Sequence, residues 1–295
     1  MNPTLAILLV GSVVAASCAI LGCFLVLRRM ALLGDAISHA VLPGIVVAFL
    51  LTGSRAPLPM LLGAGALGLL TVFAVEVLTR TRRLAGDASI GVVFPALFSL
   101  GVLLISRYTA QVDLDLDCVL YGEIAYAPWD LWVVSGVSLG PRALWINGAL
   151  LLLDLAFVGI LWKELKLSTF DAELAAALGF SPVLLHYLLM TAVSMTVVGA
   201  FESVGAILVV ALLVVPPATA FLLTDRLSTM VGLAAACGVL STLLGYALAR
   251  ALDASIAGSM ATAAGGLFLL ALVLSPGHGL VTREWRRRRL AQAEE

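Results

Sequence analysis

Apolar residues gather along this chain into nine long blocks, and polar residues are largely confined to the gaps between them. A helix needs about 20 mostly apolar residues to cross the hydrocarbon core of a bilayer. The blocks therefore predict membrane-spanning helices over 4–27, 32–51, 57–79, 88–106, 143–162, 183–200, 203–223, 229–249 and 256–275. Residues 5–17 end in AASC at Cys18, faintly like a lipoprotein cleavage site. No basic residue precedes them and the apolar run continues to Leu27, which favours a retained first span.

The gaps alternate in charge. Arg28, Arg29, Arg80, Arg82, Arg83, Lys163, Lys166, Arg226 and the run REWRRRR at 283–289 fall on one side, against only Arg55, Arg107, Arg142 and Arg250 on the other. Lys and Arg accumulate in cytoplasmic loops, so the N-terminus is expected outside and the C-terminus in the cytoplasm. That arrangement requires an odd number of spans, which nine satisfies.

Two gaps are too long for turns. Residues 107–142 form an outer loop with Asp113, Asp115, Asp117, Glu123 and Asp130, where DLDLD alternates like a strand or an extended loop. Residues 164–182 lie inside. Ser168 or Thr169 is placed to cap a surface helix of about ten residues, with Asp171 and Glu173 in its first turn. Gly179 and Pro182 end it. The chain thus divides into a polytopic membrane domain over 1–280 and a basic cytoplasmic tail over 281–295, drawn to the anionic inner leaflet.

Composition narrows the function. The chain is 62% apolar and 12% charged, with a mean hydropathy of +1.11, whereas soluble domains carry about 25% charged residues. A soluble globule is excluded, and a net charge of −1 offers nothing to a nucleic acid. Cys18, Cys23, Cys118 and Cys237 have no redox or zinc-like spacing and read as small hydrophobes. GxxxxGK[ST], HExxH and GxSxG are absent, so the chain is not expected to be an enzyme.

The candidate chemistry lies in LGDAISHAVLPG, residues 33–44, where Asp35 and His39 share one face of a helix. An ionisable residue inside a span costs roughly 2.5–3.5 kcal/mol on insertion scales and marks a functional face. Carboxylate and imidazole together suit divalent manganese, iron or zinc, and the lack of cysteine argues against copper(I). Two other readings stay open: a structural pair near Arg29, about 9 Å away by helical rise, and a proton relay. Pro43 and Gly44 follow at once, and broken backbone is tolerated in membranes where it faces protein or a watery path. Pro216 and Pro217 are expected to break the seventh span, as a hinge or a pore-lining kink. Glu202 and Glu123 are each placed to guard an outer entrance, to add a ligand, or to sit as plain interfacial carboxylates. Glu76 and Arg80 are four apart and should pair. Asp154 is ambiguous, and His186 reads as a satisfied core histidine, with His278 weaker still.

Three motifs occur here in one order: LRRMALLGDAISHAVLPGI, TFDAELAAALGFSP and ESVGAILVVALLVVPPATAFLLTDR. Together they resemble the metal-transporting ABC permeases, the membrane subunits of bacterial manganese, iron and zinc importers, over about residues 5–276. The resemblance implies an all-α integral membrane protein of the cobalamin-importer type in the bacterial cytoplasmic membrane. It also implies a second permease chain, identical or related, two cytoplasmic ABC ATPases, and an extracytoplasmic metal-binding protein. No cofactor would be bound permanently; Mn2+, Fe2+ or Zn2+ would be cargo. Asp35 and His39 match the family's GDAxSH element, a metal contact in the pathway, with Pro43, Gly44, Pro216 and Pro217 along the route or at its hinges. The segment 168–182 resembles the loop that docks on the ATPase, through Phe170, Asp171, Glu173 and Gly179. FESVG before the double proline is more like manganese and iron members, which puts manganese first. The competing expectation is an ion-coupled secondary transporter without an ATPase. It would need several neighbouring intramembrane carboxylates, often with inverted repeats, and no such repeat is found.

Overall fold

The computed structural model describes residues 2–53, 57–81, 83–108, 124–134, 137–275 and 279. Glu123, the acidic run 113–117, His278 and the basic tail 281–295 lie outside the described residues. Among the described residues twelve α-helices follow in chain order: α1 Pro3–Leu27, α2 Ala31–Ala40, α3 Leu42–Thr52, α4 Pro57–Arg80, α5 Gly86–Tyr108, α6 Arg142–Ile160, α7 Trp162–Phe170, α8 Ala172–Ala177, α9 Pro182–Val204, α10 Ala206–Leu223, α11 Leu227–Leu252 and α12 Ile256–Leu274. Among the described residues nine segments are long and apolar enough to cross a membrane, with α2 and α3 making one of them. Each corresponds to one predicted block, with ends within a few residues.

Among the described residues the helices are interrupted by a hairpin of β1 Leu131–Val134 and β2 Val137–Pro141, antiparallel, with a bulge between Leu131 and Val133. LWVV is rich in aromatic and β-branched residues, which suit a pleated strand. Trp132 packs edge-on against Trp145 of α6, with ring centroids 6.3 Å apart. The hairpin marks one end of the bundle; α8 marks the other.

Helix α1 occupies the centre, packed on α6, α9, α10 and α11, and nearly every residue from Val10 to Leu25 is buried. Its side chains leave little room at one point. A Cβ on Gly22 would run into the Leu213 carbonyl oxygen of α10, with the Pro217 ring 2.8 Å away. Leu213 is the residue whose carbonyl loses its i+4 donor to Pro217. The expected break at the double proline does not occur: α10 is helical throughout, and Pro216 and Pro217 are both buried. The lost donors are tolerated because the helix is enclosed by neighbours that press on the freed carbonyl instead of exposing it to lipid.

A polar tie crosses the same core. Asp154 of α6 is 1% exposed. Its Oδ2 accepts from Ser17 Oγ of α1 and from Thr196 Oγ1 of α9, the latter at 2.8 Å. One carboxylate oxygen thus joins three helices whose residues are 137 and 42 positions away in sequence. Burial of such a group is tolerable only with hydrogen-bond partners.

The close approach at Gly22 predicts a contrast between two single methyl groups. Gly22→Ala should lower stability by about 1–3 kcal/mol, because backbone must move. Gly148→Ala, at a helical position with no other atom within 4 Å of its Cβ, should leave it unchanged or slightly raised. Thermal midpoints of the two purified variants in detergent check this.

A carboxylate–imidazole pair on a broken membrane helix

Helix α1 ends in a Schellman motif. Arg28 is the cap, Arg29 takes the left-handed conformation (φ 59°), and the N–H groups of Arg29 and Met30 reach Val26 O at 3.0 Å and Leu25 O at 2.8 Å. Only glycine enters this region freely, so arginine there carries a cost of about 1–2 kcal/mol. The tight turn launches α2 immediately, at Ala31. Helix α2 then stops at Ala40, and Val41 separates it from α3. Pro43 stands in the first turn of α3, where its missing N–H is not needed. Its ring lies against Gly101 of α5, where a Cβ would be 2.8 Å from Pro43 Cδ. Gly44 faces the Gly63 carbonyl of α4, which a Cβ would strike. The expected interruption is therefore present, and both residues are packed against neighbouring helices.

Helix α2 has two unlike faces. Leu33, Ala36, Ile37 and Ala40 are buried, and a Cβ on Gly34 would meet the Leu213 side chain of α10. Asp35 and His39 lie on the open face, with side chains 48% and 34% exposed. His39 Nε2 is 3.7 Å from Asp35 Oδ1, too long for a hydrogen bond and compatible with an atom placed between them. The imidazole is held by α5, 5.6 Å from the Phe94 ring and 6.2 Å from Phe98. A carboxylate oxygen and an imidazole nitrogen are two suitable donors for a hard or borderline divalent cation. Among the described residues no group of three or more His, Cys, Asp and Glu could hold a metal ion. The pair thus offers two donor atoms on the exposed side of α2.

Below it, at the α8 end, a cavity of about 320 Å³ opens beside the first turn of α2, lined by Arg29, Leu33, Glu76, Thr79, Asp87 and His186 among others. Glu76 is held there by Arg80 at 2.5 Å, as the spacing predicted, and by Tyr187 Oη. Glu202 is elsewhere. Helix α9 runs on through it to Val204, and Gly205 alone joins α9 to α10. Glu202 is therefore exposed in the last turn of α9 at the hairpin end, about 15–20 Å from His39 along the helix axes. Asn147, not singled out from the sequence, donates to Ser203 Oγ beside it at 2.9 Å.

The segment at the far end takes a sharper form than the sequence suggested. The cap of α8 is Asp171, whose Oδ1 accepts from Leu174 N at 2.9 Å, not Ser168 or Thr169. Those two residues finish α7 and bind Arg28 instead. Helix α8 has six residues, with Glu173 in its first turn, and closes in a second Schellman motif around Gly179 (φ 87°). Phe170 and Leu178 are 62% and 60% exposed there, with Leu174 and Phe180 also open. Exposed apolar side chains clustered in this way are typical of surfaces that contact protein or membrane.

The model of the ABC 3 transport family matches residues 2–275. The manganese transport system membrane protein MntD of Bacillus subtilis is 48% identical over 280 residues, 95% of each chain. The zinc transport system membrane protein TroD of Treponema pallidum is also 48% identical over 280 residues, 95% of this chain and 76% of that one. Among solved structures, PsaBC from Streptococcus pneumoniae in complex with Fab superposes with a TM-score of 0.79 at 30% identity, covering 98% of this chain and 96% of that one.

Because Asp35 and His39 stand on the open face, the variant Asp35→Asn/His39→Ala should stay within about 0.5 kcal/mol of the parent in stability. An unchanged elution volume and thermal midpoint in detergent are the expected result.

Proposed function

The chain belongs to the ABC 3 transport family, and from that membership we propose that it is the membrane subunit of an ATP-driven importer for a divalent transition metal. The observation that carries the metal is the Asp35–His39 pair on the open face of an interrupted membrane helix. Relatives named for manganese and for zinc are equally identical, so the choice of metal rests on other grounds. FESVG before the double proline favours manganese, with iron or zinc next.

Two donors do not complete a shell for such an ion. A second permease chain facing the first, identical or related, supplies the missing half; two copies of the pair would bring two carboxylates and two imidazoles to one ion. The apolar surface of Phe170, Leu174, Leu178 and Phe180, with Asp171, Glu173 and Gly179 shaping α8, is the docking site for a cytoplasmic ATPase. Hydrolysis belongs to that partner. Arg28, Arg29, Arg80, Lys163, Lys166 and Arg226 all lie at the α8 end, and this clustering supports a cytoplasmic α8 end and an N-terminus outside. The hairpin end, with Glu202, then receives a metal-binding protein. The ion passes from there to Asp35 and His39 and leaves through the cavity at the base of α2, where Glu76, Asp87 and His186 are among the lining residues.

Protein side chains have two tasks on this route. Asp35 offers charge to strip the ion of water, and His39, held by Phe94 and Phe98, offers a directed nitrogen. Pro43 and Gly44 keep α2 and α3 as separate short helices, so the pair can turn without bending a continuous span.

Uptake of manganese, iron and zinc is measured in cells lacking this chain and complemented with variants. Asp35→Ala/His39→Ala and Glu173→Ala/Gly179→Pro are each expected to abolish uptake of one and the same metal, manganese. Loss in the first variant alone would point to an ion-coupled transporter that needs no ATPase. Normal uptake of all three metals in both would reject the assignment.

A further inference from the structure

Arg28 has so far served only as one of several basic residues at the α8 end. Its contacts give it another part. The guanidinium is half-buried and reaches across from the end of α1 to the end of α7: Nε donates to Thr169 Oγ1 at 3.1 Å and Nη2 to Ser168 Oγ at 2.9 Å. One turn deeper, Phe24 of α1 meets Trp162 of α7 edge to face, with centroids 6.4 Å apart. Leu165, between these contacts on α7, is fully buried. Helix α7 is thus fastened to the end of α1 by a charged fork, an aromatic contact and an apolar anchor.

The chain on both sides of this joint is short and already bonded. On the α7 side, only Phe170 separates Thr169 from Asp171, the residue that caps α8. On the α1 side, Arg29 and Met30 are locked by the Schellman bonds, and α2 begins at Ala31. There is little slack to absorb a displacement between α8 and α2. The partners that hold the guanidinium are two neutral hydroxyls, and a planar five-donor fork can exchange such partners without breaking an ion pair.

We propose that Arg28 is a positioning residue that transmits movement of α8 to α2, and so sets the orientation of the Asp35–His39 pair. It touches neither the cargo nor the ATPase. This rests on the proposed assignment of α8 to the ATPase and of Asp35 and His39 to the metal. A push on α8 displaces Ser168 and Thr169, the fork follows, and the turn at Arg29 tilts the first residues of α2.

The test uses the complete importer in proteoliposomes, with ATP hydrolysis and uptake of radioactive manganese read in the same vesicles. Arg28→Ala and the milder Ser168→Ala/Thr169→Val should keep hydrolysis within about twofold of the parent while manganese moved per ATP falls roughly tenfold, the size of coupling changes carried by a local network. Arg28→Lys, a point charge without the fork, should recover part of the ratio. A folding or assembly defect lowers both readings together and leaves the ratio unchanged, and that result in both variants would overturn the proposal. A parent complex that moves manganese without consuming ATP would overturn the importer reading itself, and this proposal with it. An altered ratio in a coupled parent supports both.

Discussion

Leu213 is where the bundle is pinned. Its carbonyl, deprived of its i+4 helical donor by Pro217, presses on α1 at Gly22, and its side chain fills the space that a Cβ on Gly34 would take. One residue of α10 therefore sets the distance to the central helix and the seat of α2. Lipid offers no hydrogen bonds, so an interrupted backbone must be enclosed by protein. Glycines on both neighbours make that enclosure possible. The position of Asp35, adjacent to Gly34, follows from this packing and from the tight turn at Arg29.

The chemistry of α2 depends on its two-sidedness. Leu33, Ile37 and Ala40 bury one face in the bundle, which leaves the other free of structural duties. A carboxylate and an imidazole can stand there without displacing packed core side chains. Asp154 is the counter-example. It is the same residue type as Asp35, but buried among α1, α6 and α9 with hydroxyl partners. It holds helices together from a buried position, 1% exposed. Position relative to the packed surface separates these two aspartates, not residue type.

Much of this was legible in the sequence. All nine spans, the interruption before Pro43, the Glu76–Arg80 pair and the stop at Gly179 follow from local rules: block length, proline chemistry, helical spacing and the left-handed preference of glycine. What escaped depends on distant neighbours. The double proline of α10 was expected to break its helix because the effect of Gly22, almost two hundred positions away, is invisible to a local rule. Ser168 and Thr169 were expected to cap a helix because their hydroxyls are suited to it; Arg28, folded back from α1, claims them. Arg28 itself looked like a marker of membrane sidedness, a role that conceals any specific contact. The pair Asp35–His39 was visible as a candidate, but its exposure on an open face was not, since helix rotation is undetermined by spacing alone.

The open face of α2 also bears on how such a protein is made. In the proposed pairing, Asp35 and His39 meet a second chain. Before pairing, a newly inserted subunit presents them to hydrocarbon, at a cost of about 2.5–3.5 kcal/mol for a carboxylate alone. An orphan subunit is thus energetically distinct from an assembled one within the same bilayer. The residues proposed to receive the ion would then also enforce the stoichiometry of the complex during biogenesis.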